Sequence, residues 1–151
     1  MNKNNKGLTV AIVNTGGHDL PKYKTEQSAG LDLSANLKAP VILKPLERVL
    51  IPTGLNISIP DGYEGQVRPR SGLALKHGIT VLNATGTIDA DYRGDIGVIL
   101  INLSNESYTV NDGDRVAQLL FAPVTRLCYW IECEELAKTG RGDGGFGSTG
   151  A

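Results

Sequence analysis

Short apolar segments separated by turn residues recur along this chain, and their spacing restricts the folds open to it. Residues 55–59 alternate between apolar and polar side chains, a pattern typical of a strand with one buried face. Ile51-Pro52 predicts a break between two strands. The pattern predicts strands at 8–13, 31–35, 41–43, 49–51, 55–59, 80–82, 96–103, 108–110, 116–124 and 128–133. So many short strands predict an all-β sandwich, jelly roll or barrel.

Two polar features interrupt the strand pattern. Residues 71–77 predict one short helix, with Ser71 as its N-cap and Gly78 as the residue that ends it. Free N–H groups at a helix start favour an anion, so Arg70 and Ser71 form a candidate phosphate cradle. An ordinary capped helix with a surface arginine is the alternative. Gln118 lies inside an apolar strand, where it makes either a core hydrogen bond or a ligand contact.

The composition narrows the class of protein. A length of 151 residues predicts one domain, and a net charge of −1 argues against direct nucleic-acid binding. No apolar run approaches the roughly 18 residues of a membrane span, and the N-terminus is too polar for a signal peptide. Cys128 and Cys133 lack the spacing of a zinc site or a disulfide framework. Reduced, partly buried thiols are expected, which favours a cytoplasmic protein.

The last residues differ from the rest in composition. Residues 1–137 predict the folded domain, whereas 138–151 are rich in glycine and polar side chains and predict a flexible tail. Residues 142–147 match Gly-x-Gly-x-x-Gly, but a dinucleotide-binding site needs a βαβ unit that this sequence does not predict. As a flap, the tail would offer phosphate donors and an aromatic ring to stack on a base, from Arg141, Ser148, Thr149 and Phe146. A tail without function is the alternative.

Residues 86–94, Gly-Thr-Ile-Asp-Ala-Asp-Tyr-Arg-Gly, carry two aspartates two positions apart. If the segment is extended, Asp89 and Asp91 share one face, and Tyr92-Arg93-Gly94 bends into the next strand. Neighbouring carboxylates repel each other, so the pair implies compensating partners or chemistry. A solvated acidic hairpin tip is the alternative.

Five segments together resemble the five motifs of the deoxyuridine triphosphate nucleotidohydrolase (dUTPase) family, in its trimeric branch and in the same order. They are Ala29-Gly30-Leu31-Asp32-Leu33, Pro69-Arg70-Ser71-Gly72-Leu73, residues 83–102, Arg115-Val116-Ala117-Gln118-Leu119 and residues 141–150. Each segment is a weak signal alone. The resemblance covers nearly the whole chain, and five motifs in register make a chance match implausible.

The resemblance implies a distorted, β-clip-like jelly roll that assembles as a homotrimer, with each active site built from all three chains. It implies Mg²⁺-dependent hydrolysis of dUTP to dUMP and diphosphate. That reaction keeps uracil out of DNA and supplies dUMP for dTTP synthesis.

The resemblance also implies residue roles at the nucleoside. Asp89 would be the general base that activates the water attacking the α-phosphorus. Tyr92 would pack against the deoxyribose and reject a 2′-hydroxyl. Uracil would meet the hairpin backbone and the strand beside it, through Asn83, Gly86, Thr87, Ile88, Asp89 and Gly97.

Further roles follow at the triphosphate. The phosphate chain would be held by Arg70, Ser71, Gly72 and Gln118. Asp32 would act on Mg²⁺ through water, with the ion held mainly by the substrate phosphates. The tail would close last, through Arg141, Phe146, Gly147, Ser148 and Thr149. Asp91 is interpreted as a structural residue that pairs with an arginine.

Two other functions fit the same scaffold. A dCTP deaminase would share the fold and release ammonia, although this uracil hairpin and glycine-rich flap are not expected in it. A non-catalytic jelly-roll binding subunit would keep the scaffold without turnover.

Overall fold

The computed structural model describes residues 7–126 and 128–145. Ten strands and one helix lie within them: β1 (Ala11–Asn14), β2 (Leu31–Ser34), β3 (Val41–Leu43), β4 (Arg48–Ser58), β5 (Tyr63–Arg68), α1 (Ser71–His77), β6 (Ile79–Val81), β7 (Gly86–Ile88), β8 (Asp95–Asn102), β9 (Tyr108–Val110) and β10 (Arg115–Pro123). Two four-stranded sheets, β1-β4-β8-β6 and β2-β10-β5-β7, are joined by the pair β3-β9. This is a distorted jelly roll, and the all-β prediction is confirmed.

The core lies between the two large sheets. Alternate residues of β8 are buried, among them Ile96, Val98 and Leu100, which confirms a strand with one face in the core. Full coverage of both faces, as the continuous apolar run 98–101 would favour, is not found in one protomer, because Ile99 and Ile101 are half-buried. The buried amide of Asn102 is satisfied by donation to the carbonyls of Leu43 and Glu106.

Strand β4 differs from the prediction at Pro52. A break was expected there, but β4 continues through it and pairs with β8 at residues 48–52 and again at Asn56. The register shifts between Pro52 and Asn56, so a bulge absorbs the residue that cannot donate to the ladder. Gly54 lies in this bulge with φ of 71°, and a Cβ there would approach the Gly16 nitrogen to 2.6 Å. Only glycine adopts this positive φ without strain and leaves room for the backbone of Gly16.

The predicted strand at 128–133 is wrong for the single chain. Residues 128–133 form no strand, and Trp130 is 92% exposed. Cys128 and Cys133 are free and exposed, not partly buried as expected. The apolar pattern of this segment has no surface to cover within its own protomer.

Helix α1 confirms the one predicted helix. Gly78 ends the helix with φ of 64°, and the cap N–H donates hydrogen bonds to the carbonyls of Leu73 and Ala74. Ser71 is the first helical residue rather than the N-cap, a position that Arg70 takes without a side-chain cap. No helix in the part of the chain that the structure describes is long and apolar enough to cross a membrane.

Candidate active site

One group of charged side chains gathers where β2, β5 and β10 lie side by side. Asp32 Oδ1 accepts a hydrogen bond from Arg70 Nε at 3.2 Å, and Asp32 Oδ2 accepts one from Arg115 at 3.0 Å. Arg70 also donates to the main-chain carbonyl of Arg115 at 2.9 Å. We call Asp32, Arg70 and Arg115 the arginine cluster. Two guanidinium groups share one carboxylate, so the cluster keeps a net positive charge and suits an anion.

Strand register places Gln118 beside this cluster. Gln118 lies opposite Asp32 on β2 and opposite Arg68 on β5, so the three side chains share a face of the sheet. Its Nε2 donates to the carbonyl of Pro69 at 3.0 Å, which fixes the chain just before Arg70. A Cβ on Gly30 would come within 2.2 Å of Gln118 Oε1, so this contact needs glycine there. The sequence left two alternatives for Gln118, a core hydrogen bond or a ligand contact. The structure contains a hydrogen bond, made to a main-chain carbonyl.

Arg115 is a functional candidate that sequence reasoning missed. It is three residues from Gln118, a spacing that puts two side chains on opposite faces of a regular strand. The β2–β10 register shifts between Arg115 and Ala117, and this irregularity returns Arg115 to the face of Gln118. The only sequence signal was its place in the fourth motif.

Ser71 and Gly72 continue the same surface. Both are exposed at the start of α1, directly after Arg70. The structure therefore places Asp32, Arg70, Ser71, Gly72 and Gln118 on one surface. Their side chains and exposed backbone form the first half-site.

The second half-site is the turn between β7 and β8. Strand β7 ends at Ile88, and the amide of Tyr92 donates to the carbonyl of Asp89 at 3.1 Å. Asp89 and Asp91 are therefore on a turn rather than on one face of a strand, and both are exposed. The expected bend before β8 is confirmed. We call residues 89–92 the carboxylate turn.

A cleft of about 580 Å³ opens beside the carboxylate turn. Asp89, Asp91, Glu64 and Arg93 are among its lining residues. No ion pair forms on Asp91 within residues 7–126 and 128–145, so the expected arginine partner is not found in one protomer. Arg93 instead donates to the carbonyls of Ala90 and Tyr92.

The nucleoside-contact candidates surround the same turn. The buried residues Gly86 and Ile88 lie on β7, whereas Asn83 and Thr87 are exposed. Gly97 lies on β8, opposite Pro52. Strand β7 pairs with β5 at the edge of the second sheet, whereas β8 lies in the first sheet, so the expected hairpin of β7 and β8 is not formed.

The two half-sites do not meet within one chain. Ile88 pairs with Gly65 near the start of β5, whereas Arg70 follows the end of β5. The path from Glu64 to Arg70 spans six steps of extended chain, roughly 20 Å. The cleft beside Asp89 is lined by none of Asp32, Arg70 or Gln118. One protomer thus carries two separate halves.

The predicted tail residues are only partly within the described chain. Arg141 is exposed and donates from Nε to the carbonyl of Gly144 at 2.7 Å, and Gly142 N–H bonds Thr139. These bonds are local and join the segment to no other element. Phe146, Gly147, Ser148 and Thr149 lie outside the described residues.

Two titratable groups near the first half-site have shifted pKa values. Burial raises the pKa of Tyr108 above its ordinary value, Asp114 adds to that effect, and Arg70 opposes it. The amide of Leu37 and the ring of His18 lower the pKa of Asp112, which keeps its carboxylate charged. Asp112 therefore ties the loop around His18 to the turn that precedes β10.

The fold and the half-sites define a class: an all-β jelly-roll protein that presents a cationic cluster and a separate carboxylate turn. The family model for dUTPase matches residues 17–150. The chain belongs to the dUTPase family.

Curated relatives agree with the family match. The deoxyuridine 5′-triphosphate nucleotidohydrolase of Fusobacterium nucleatum is 53% identical over 145 residues, which cover 96% of this chain and 99% of that protein. The enzyme of the same name from Cytophaga hutchinsonii is 54% identical over 150 residues, covering 99% and 97%.

Solved structures share the fold. The dUTPase of Staphylococcus bacteriophage 80alpha with dUpNHpp has a TM-score of 0.84 and 27% identity, covering 95% of this chain and 99% of that chain. A mutant dUTPase from phage phi11 of S. aureus, described with a structural Mg(II) ion, has a TM-score of 0.76 and 25% identity, covering 86% and 99%.

Proposed function

We propose that this protein hydrolyses dUTP to dUMP and diphosphate at a site assembled from several copies of the chain. The reaction is that of its family, whose relatives are named deoxyuridine 5′-triphosphate nucleotidohydrolases. The observation that carries the shared site is the separation of Asp89 from the arginine cluster by six residue steps of extended chain along β5 and its continuation. A ligand that needs both must lie between chains.

Asp89 is the proposed general base. It lies at an exposed turn beside a cleft. Water can reach this turn, and so can the phosphates of a substrate held by the arginine cluster of another chain. Its carboxylate takes a proton from the water as the oxygen attacks the α-phosphorus, and diphosphate leaves. The product dUMP feeds dTTP synthesis, and removal of dUTP keeps uracil out of DNA.

Strand β7 and the turn before it form the proposed nucleoside site. Uracil lies against the backbone of Asn83, Gly86, Thr87, Ile88 and Asp89, with Gly97 on β8, the next strand along the chain. Fixed donors and acceptors in such a slot discriminate against cytosine because a mismatched pattern leaves polar groups unpaired. The ring of Tyr92 faces the deoxyribose.

The arginine cluster is the proposed triphosphate site. Arg70 and Ser71 donate to phosphate oxygens, and Gln118 keeps this segment in place through Pro69. Asp32 holds both guanidinium groups in a fixed arrangement before substrate arrives. Preorganised charge of this kind stabilises the leaving diphosphate without reorganisation during the reaction.

Mg²⁺ is the proposed cofactor, and the donor set fits an ion carried by the substrate. Residues 7–126 and 128–145 contain no cluster of three or more metal-ligating side chains. Each carboxylate oxygen of Asp32 accepts one hydrogen bond from an arginine. Each oxygen therefore has a second lone pair that can accept a hydrogen bond from a metal-bound water. The ion would neutralise phosphate charge, as Mg²⁺ does when held by phosphates and waters.

A homotrimer is the proposed assembly. The exposed apolar side chains of the segment after β10 give it a surface to bury against another copy: Tyr129, Trp130, Ile131 and Leu136. Burial between chains would give this segment the partner that it lacks in one protomer. Its two exposed thiols suit a reducing compartment, and we place the enzyme in the cytoplasm.

Removal of residues 139–151 is expected to lower dUTP turnover by at least about tenfold while the assembly remains intact. The reason is that Arg141, Phe146, Gly147, Ser148 and Thr149 are proposed to close over bound nucleotide. Steady-state kinetics and light scattering measure the two effects. Lys138→Ala, which removes a cation just outside the deleted segment, should keep full activity. Full activity of the truncated chain would contradict the flap.

Diphosphate release from dUTP, dCTP, dTTP and UTP tests the function directly. We expect dUTP to be hydrolysed at least about 100-fold more efficiently than the other three, because the site pairs with uracil and contacts the sugar. Chelation of Mg²⁺ should abolish most of this activity. Ammonia release from dCTP would instead identify a deaminase, and binding of dUTP without turnover would identify a non-catalytic subunit.

A further inference from the structure

The ring of Tyr92 lies directly over Gly94. A Cβ built on Gly94 would be 2.2 Å from Tyr92 Oη, 2.5 Å from Cζ and 3.0 Å from Cε2. Real side chains do not tolerate such distances, so any residue larger than glycine at 94 would push the ring away. Tyr92 as a residue remains 46% exposed, which leaves it accessible to a ligand.

The hydroxyl of Tyr92 is held as well. Its Oη donates to the main-chain carbonyl of Asp95 at 3.1 Å. Asp95 opens β8 and lies opposite Asn56 of β4. The backbone beneath the Tyr92 ring is therefore part of the sheet rather than a free loop.

Residues of the β4 bulge hold the backbone beneath the ring through further hydrogen bonds. Asn56 Nδ2 donates to the carbonyl of Arg93 at 2.9 Å, and Thr53 Oγ1 donates to the carbonyl of Ile96 at 2.7 Å. The Thr53 amide also donates to the Asp95 carboxylate at 3.3 Å. Residues on both sides of Gly94 are thus tied to β4, and the backbone there has little freedom to move with the ring.

We propose that Gly94 and the main-chain carbonyl of Asp95 determine the sugar specificity of this enzyme by holding the Tyr92 ring in place. This inference rests on the proposed function, in which Tyr92 faces the deoxyribose. A side chain rejects a 2′-hydroxyl by contact only if moving it costs more than accepting the hydroxyl. A ring that could swing aside would admit UTP, whereas one held at both its face and its hydroxyl excludes it.

Gly94→Ala tests the proposal through the ratio of kcat/KM for dUTP to that for UTP. We expect this ratio to fall by about tenfold or more, within the range that one steric contact provides. The ratio is insensitive to loss of folded enzyme, because both substrates meet the same sample. Gly17→Ala, at a glycine with no atom near its Cβ position, should leave the ratio unchanged.

The Tyr92→Ala background separates positioning from general damage. Once the ring is gone, Gly94→Ala has nothing to displace and should change the ratio no further. Tyr92→Phe keeps the ring but loses the bond to Asp95, and it should lower the ratio about threefold. This variant provides the test if Gly94→Ala does not fold.

Different outcomes would overturn the role of Gly94 and Asp95 and the proposed function. An unchanged ratio in folded Gly94→Ala, or in Tyr92→Phe when Gly94→Ala is unfolded, overturns the role of Gly94 and Asp95 and leaves dUTP hydrolysis standing. A further fall caused by Gly94→Ala in the Tyr92→Ala background also overturns it. Failure of the wild-type chain to hydrolyse dUTP overturns the proposed function itself.

Discussion

Asp89→Asn is expected to lower the turnover of dUTP by roughly 10²–10⁴, the usual contribution of a general base. Asparagine has nearly the same shape as aspartate but cannot take a proton from water at neutral pH. Asp89 is exposed and its side chain forms no hydrogen bond within the described chain, so the substitution should disturb neither the fold nor nucleotide binding. Diphosphate release measures turnover, and calorimetry with a non-hydrolysable dUTP analogue measures affinity.

Asp91→Asn is the matched control for this prediction. Asp91 lies in the same turn, lines the same cleft and carries the same charge as Asp89. A general loss of negative charge would therefore affect both variants alike, whereas a specific base affects one. Unchanged turnover in Asp89→Asn would show that Asp89 is not the base.

Local pattern predicted most of the strands because most of them have one face in the core. β4 and β8 carry alternating or continuous apolar residues, and the structure buries one face of each strand. Strand β5 was missed because its inward positions are Gly65 and Val67 and the remainder is polar. Two small inward residues produce no apolar period, so the pairing with β10 and β7 decides its conformation.

Errors arose where another part of the chain decides the local structure. Pro52 indicates a break in isolation, but the bulge of β4 accommodates it. The apolar pattern of residues 128–133 predicts a strand, but the protomer offers no partner for it. Neither outcome can be predicted from a short window of sequence, because both depend on a neighbouring strand.

The candidate site was located by motif, but its arrangement was not. Motifs indicated Asp32, Arg70 and Gln118 as one group, and strand register explains why they meet. The role of Arg115 was hidden by an irregularity that reverses its face. The separation of Asp89 from this group follows from the position of β7 along β5, which sequence spacing does not contain.

Coexpression of an Asp89→Asn chain with an Arg70→Ala chain is expected to restore dUTP hydrolysis that each variant lacks alone. If the two half-sites come from different chains, some assembled sites contain an intact Asp89 from one chain and an intact Arg70 from another. With equal amounts and random assembly, about one quarter of the sites are complete, so about one quarter of wild-type activity should return. Diphosphate release from the purified mixed assembly measures it.

The control for this restoration is coexpression of the Asp89→Asn chain with a chain that carries both substitutions. No site in that mixture can contain an intact Asp89, so activity should remain at the level of Asp89→Asn alone. A site contained within one chain gives no recovery in either mixture, because every chain then has a defective site. Recovery in the first mixture alone requires that Asp89 and Arg70 act from different copies, which agrees with the six steps of extended chain, roughly 20 Å, between their positions along β5.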